Sequence, residues 1–210
     1  MTVDFNHDTG QLDAVLDYDD YVILFEFKAS LLTVAARCGR DMQEFERQFY
    51  LKFVENERGE KKGVRQLAES ARSVVAADLR FTSERPVVYP VLVCYEPSAD
   101  SFWVNRYAND IFSHLLGGHL PDRIQPLTVM SIEGLEMALP YLSAGDLTWQ
   151  QLLDSRFKDG AVDERSIYQA IYDWRESHKM PRRINEYLRT RFDATFHSVL
   201  DRYRGGSGTR

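Results

Sequence analysis

The stretch Gly10–Ser30, GQLDAVLDYDDYVILFEFKAS, constrains the fold more than any other part of the chain. It predicts two short strands around an acidic turn. The second strand begins with large apolar residues from Tyr21 and ends in Glu26-Phe27-Lys28. A strand that apolar is normally buried on both faces, and charged side chains are rarely fully buried without partners. An acid and a base at its inner end therefore call for a chemical reason.

Side chains alternate along a strand, so Glu26 and Lys28 share a face with Val22 and Leu24. With Leu16 paired to Tyr21 around an Asp17–Asp20 turn, Asp13 lies opposite Leu24, on the face of Glu26 and diagonal to it. Diagonal cross-strand neighbours stand about 7–8 Å apart at the backbone, within reach of side chains converging on one ion. A one-residue slip would turn Asp13 to the other face. Two carboxylates and a lysine on one patch are equipment for holding a hard divalent cation and handling a phosphate.

The pattern of Asp13 followed by Glu26-Phe27-Lys28 resembles the PD-(D/E)XK nucleases, the restriction-endonuclease-like superfamily. The nearest group is written G-E-I-D, hairpin, V-E-V-K, and stands here as Gly10-Gln11-Leu12-Asp13 and Phe25-Glu26-Phe27-Lys28. The resemblance implies metal-dependent hydrolysis of phosphodiester bonds, in DNA in preference to RNA. It implies Mg²⁺ or Mn²⁺ held by Asp13, Glu26 and the Phe27 backbone carbonyl. Lys28 would position the attacking water and stabilise charge on the phosphate. A glutamine often stands in the helix after the E-x-K strand of these nucleases. Gln66, in the run K-G-V-x-Q-L from Lys62 to Leu67, looks like that element and would orient Lys28 or the water. A plain helix-surface glutamine is the alternative there. The alternative function is a catalytically inactive nuclease-like module, binding nucleic acid or protein within a larger assembly. A place as the effector of a defence or repair system follows from family habit alone.

The resembled fold opens with a helix, and Met1–Thr9 is too short for both that helix and a strand. The helix is lost, replaced by another segment, or part of a longer parent protein. His7 and Asp8 lie near the site in this register, or in a solvated loop. From Leu31 to Arg58 the pattern turns helical, with Phe45, Phe49, Leu51 and Phe53 near helical spacing. Asn56–Gly63 is a polar loop, solvated or touching a phosphate backbone. Gly63 opens a second helix whose apolar face includes Val64, Leu67, Ala71 and Val74. Arg85–Tyr95 predicts a strand with its regular part at Val91–Tyr95, because Pro90 marks a bulge or an edge-like start. A helix at Ala108–Leu116, stopped by Gly117-Gly118, and a strand at Leu127–Met130 follow.

These elements suit an α/β fold, a mixed central sheet flanked by helices, over residues 1–130. Residues 131–204 predict an all-helical extension. Its helices are Ile132–Leu142 capped by Ser131, Trp149–Phe157 capped by Thr148, Arg165–His178 and Arg183–Tyr203. The last segment, 205–210, has the composition of a flexible tail.

A net charge of −6 argues against nonspecific coating of nucleic acid. Asp173–Arg210 departs from that balance, with nine Lys or Arg against five Asp or Glu. Arg182, Arg183, Arg189, Arg191, Arg202 and Arg204 form either a phosphate-contacting face or ordinary solvated helices. The helical regions are also the expected contact for a protein partner or a second copy. The two cysteines, Cys38 and Cys94, indicate no disulfide framework. The histidines show no zinc spacing, and no apolar run approaches a membrane span. The expected compartment is the cytoplasm. Trp103, Trp149 and Trp174 are expected in core or helix packing.

Overall fold

In the computed structural model of the chain, residues 2–4, 12–37, 41–76, 81–158, 161–162, 166–184, 186 and 189–190 are described. The architecture is α/β, a mixed sheet between two layers of helix. Strands β1 (Thr2–Asp4), β2 (Ala14–Asp17), β3 (Tyr21–Lys28), β4 (Val87–Cys94) and β5 (Thr128–Ser131) lie in that order across the sheet. The first two pairings are antiparallel, and β3–β4 and β4–β5 are parallel. β3 is thus the middle strand, which is why Tyr21–Phe25 are apolar without alternation: all five are buried.

The hairpin register differs from the expected one by two residues. Leu16 pairs with Ile23, and Ala14 with Phe25. The cause sits at the turn, where the Tyr18 N–H donates to the Tyr21 carbonyl at 3.0 Å. Their rings stack at 4.4 Å, so this aromatic pair flanks Asp19-Asp20 and closes the hairpin. A two-residue shift preserves parity, so Asp13 keeps the face that it was expected to have.

Part of the segment before Gly10 forms β1, pairing Val3 with Leu16. Three further expectations are corrected. β4 runs regularly through Pro90, which is paired with Leu24. The Val87 N–H bonds toward β3, to Asp20, while Val88 bonds Arg123 and Gln125 on the other side. By alternation the missing N–H of Pro90 faces that other side, where β5 pairing begins only at Val91–Thr128. The helical stretch after Leu31 divides into α1 (Val34–Arg37), α2 (Met42–Phe49) and a π-helical turn (Tyr50–Val54). Helix α4 (Phe102–Leu115) starts six residues before Ala108, leaving Trp103 65% exposed instead of packed.

One face of the sheet, with Val22, Leu24, Val88 and Leu92, packs under α2, α3 (Gly63–Val75) and α4. Asn105 and Asn109 of α4 hold the backbone of the edge strand: Asn109 takes the Leu127 N–H at 2.7 Å, and Asn105 that of Val129 at 2.9 Å. The other face, with Ile23, Phe25, Val91 and Met130, packs under α5 (Ile132–Ala144), α6 (Trp149–Asp154) and α7 (Ile167–Ser177). The helices expected as an extension beyond residue 130 therefore cover one side of the sheet, and that boundary falls inside β5. A small hairpin, β6 (Phe157–Lys158) and β7 (Ala161–Val162), interrupts them. Of the expected helix Arg183–Tyr203, the part beyond Thr190 and the tail lie outside the described residues, as do Gly10, Gln11, His7 and Asp8. No helix among the described residues is long and apolar enough to cross a membrane.

Candidate functional site

The inner end of β3 carries the chemistry. Glu26 and Lys28 project from the face covered by α3, and parity alone puts them together. Lys28 Nζ donates to Glu26 Oε1 at 2.6 Å and to Gln66 Oε1 at 3.3 Å. Gln66 lies in the first turn of α3, so the structure brings together Glu26, Lys28 and Gln66 across 38 residues of sequence. Glu26 is 2% exposed, and its Oε2 is buried without a hydrogen-bond partner. Burial pushes its carboxyl above the usual carboxylate range; Lys28 pulls it back down, and the Asp13 charge adds to the rise.

Asp13 lies one step past the last β2–β3 pair, at the level of Glu26 and not diagonal to it. It is exposed, and it continues the ladder with its side chain. Its N–H donates to the Phe25 carbonyl at 3.2 Å, and its Oδ2 accepts the Phe27 N–H at 2.7 Å. The same residue thus closes the hairpin and sets a second carboxylate beside Glu26. The carbonyls of Tyr21 and Phe25 face β2, so by alternation the Phe27 carbonyl turns toward Asp13 as well.

Hard divalent cations take oxygen donors and fill the rest of their shell with water or phosphate. An unpartnered buried carboxylate oxygen, a second carboxylate and a carbonyl on one edge fit that requirement. Among the described residues no three of His, Cys, Asp or Glu gather into a ligand set. An ion here would rest on Asp13, Glu26 and the Phe27 carbonyl.

Gly63 is the residue that sequence reasoning left out. A Cβ there would lie 2.7 Å from Leu92 Cδ1 and 3.1 Å from Lys28 Cε, so the bare backbone at the start of α3 seats the Lys28 stem. Its only trace in the sequence is a glycine inside the helix opening, a position where glycine weakens a helix. Cys94, the register partner of Lys28, is buried. Its thiol is pushed up to about 12 by burial and by Glu96, against the pull of Lys28. Beyond it Asp100 is 6% exposed, and its Oδ1 accepts the Ile167 N–H at 3.0 Å. The loop before Gly63 is a tight turn built on Asn56. Two of its three cations meet acids, Lys61 with Glu69 and Lys62 with Glu60, and beyond the loop Arg65 meets Glu55.

Comparison of the chain with models of protein families, with characterised proteins and with solved structures yields no match.

Proposed function

We propose that this chain is a metal-dependent nuclease that hydrolyses phosphodiester bonds in DNA. The observation that carries the reading is the Lys28 ammonium, shared between a buried carboxylate and Gln66 with Asp13 alongside. Asp13, Glu26 and the Phe27 carbonyl would hold Mg²⁺ or Mn²⁺. When bound, such an ion supplies a water of lowered pKa and offsets charge on the phosphate. The protein's own contribution centres on Lys28. An ammonium has three donors. Glu26 and Gln66 take two of them, which leaves a third for an attacking water or a phosphate oxygen. Gln66 fixes the ammonium from the α3 side, and Gly63 lets its stem pass. A partner in a defence or repair assembly would supply the DNA grip that a chain of net charge −6 lacks overall.

The test is cleavage of supercoiled, linear and single-stranded DNA, and of RNA, with Mg²⁺ or Mn²⁺. Glu26→Ala and Lys28→Ala should abolish cleavage and leave the fold intact. Undiminished cleavage by both would remove them from the mechanism. One observation favours a second reading, a nuclease-like module that only binds: Asp13 Oδ2 is already engaged by the Phe27 N–H. In that case Mn²⁺ affinity would not depend on Asp13.

A further inference from the structure

We propose that the groove between α5 and α7 binds single-stranded nucleic acid, with bases stacked on Tyr168 and Tyr172 and phosphates held by Arg182 and Arg189. The proposal rests on the nuclease reading for the identity of the polymer. The groove has a volume of about 620 Å³. Helix α7 buries Ile167, Ala170 and Ile171 against the sheet side and turns Tyr168, Tyr172 and Arg175 outward at i, i+4 and i+7. Tyr168 is 55% exposed and Tyr172 44%, one helical turn apart. The Arg175 guanidinium lies 5.0 Å over the Tyr172 ring and covers one of its faces.

The opposite wall is the segment after α7, tied to α5 at Tyr141. The Tyr141 hydroxyl donates to the Pro181 carbonyl at 3.2 Å and accepts the Arg183 N–H at 3.1 Å. Arg183 is spent on Asp146 at 2.5 Å and acts as a brace. Arg182 is exposed and makes no ion pair among the described residues. Arg189 meets Glu186 at 3.4 Å with both side chains more than half exposed, a contact readily exchanged for a phosphate. Of the four arginines that line the groove, Arg175 pairs with Glu176, Arg183 with Asp146 and Arg189 with Glu186, so among the described residues Arg182 is the cation left to face a phosphate, joined by Arg189 once Glu186 is displaced. Flat aromatic faces add what a duplex cannot use, because its bases are already stacked on each other.

Fluorescence anisotropy in EDTA, where metal-dependent cleavage is off, separates this proposal from the nuclease reading. The probe is a labelled oligothymidylate of about twelve nucleotides, with oligouridylate as a parallel probe. Tyr168→Ala with Tyr172→Ala should weaken binding at least about tenfold, the loss expected from one stacked base. The corresponding double Phe variant should bind as the wild type does, which excludes a folding defect. Arg182→Ala with Arg189→Ala should lower the slope of log affinity against log salt by about 1.4, or 0.7 for each lost phosphate contact. Unchanged binding by the alanine variants, preference for a duplex of equal length, or equal displacement by a glutamate-rich peptide would each overturn the proposal. Groove binding without cleavage of any substrate would leave it standing and remove the nuclease reading. Cleavage without groove binding would do the reverse.

Discussion

Gly63 and Lys28 are in close approach: the backbone that opens α3 lies against the Lys28 stem and leaves little room for a side chain at that position. A Cβ would sit 3.1 Å from Lys28 Cε and 2.7 Å from Leu92 Cδ1, and Leu92 is wholly buried. Gly63→Ala gains helix propensity but overpacks the core, and the second effect is larger, about 1–3 kcal/mol against under 1. The variant should melt at lower temperature and lose metal-dependent cleavage, because the ammonium shifts from Gln66. A melting temperature at or above wild type would show that Lys28 yields freely.

Asp13 closes the hairpin, and a pair of substitutions tests whether it also holds a metal ion. Asp13→Asn keeps an acceptor for the Phe27 N–H, so urea unfolding should change little. Asp13→Ala leaves that N–H to water and should cost about 1 kcal/mol. Both should reduce Mn²⁺ affinity by calorimetry, since an amide oxygen is a weaker ligand than a carboxylate. Wild-type Mn²⁺ affinity in Asp13→Asn would confine Asp13 to closing the hairpin.

Lys28 is the charge partner of a nearly inaccessible acid, Glu26, so removing either member alone should cost more than removing both. Lys28→Met should destabilise by about 2 kcal/mol or more, because Glu26 loses its cation and must protonate or stay charged while buried. Adding Glu26→Gln should recover a large part of that loss. Strict additivity in the double-mutant cycle would mean that the 2.6 Å contact contributes no coupling.

Much of this site was legible before the fold was known, because strand parity needs no tertiary information. Glu26 and Lys28 share a face in any register, and the expected and observed pairings of Asp13 differ by two, an even number. Which register is adopted was hidden, since it depends on Tyr18 stacking on Tyr21. Helix caps at Ser131 and Thr148 were readable as local chemistry, and both side chains cap as expected. The surface that a helix covers is not local. Nothing in the apolar faces of residues 132–177 distinguished an appendage from a layer over Ile23 and Phe25. The seat at Gly63 and the contact of Asp100 with α7 join residues far apart in sequence and leave no periodic trace.

Asp100 offers a test in solution that needs no substrate. Its carboxyl is pushed up to about 6 by burial, against the Ile167 N–H, Arg156 and the Tyr168 N–H. The unfolded chain should release this proton near the ordinary value of 3.8. Between about pH 4 and about pH 6 the folded state therefore binds more protons than the unfolded one, and the Asp100 contribution to stability falls as pH rises. Asp100→Asn retains an acceptor for Ile167 and does not titrate. Relative to wild type, its stability should rise across that window by up to about 3 kcal/mol, the equivalent of two pH units. Urea unfolding of both proteins at several pH values measures the difference directly, and the shared titration of every other carboxylate cancels. A difference independent of pH would mean that Asp100 ionises in the folded protein as it does in water, and that its place against the start of α7 costs no proton.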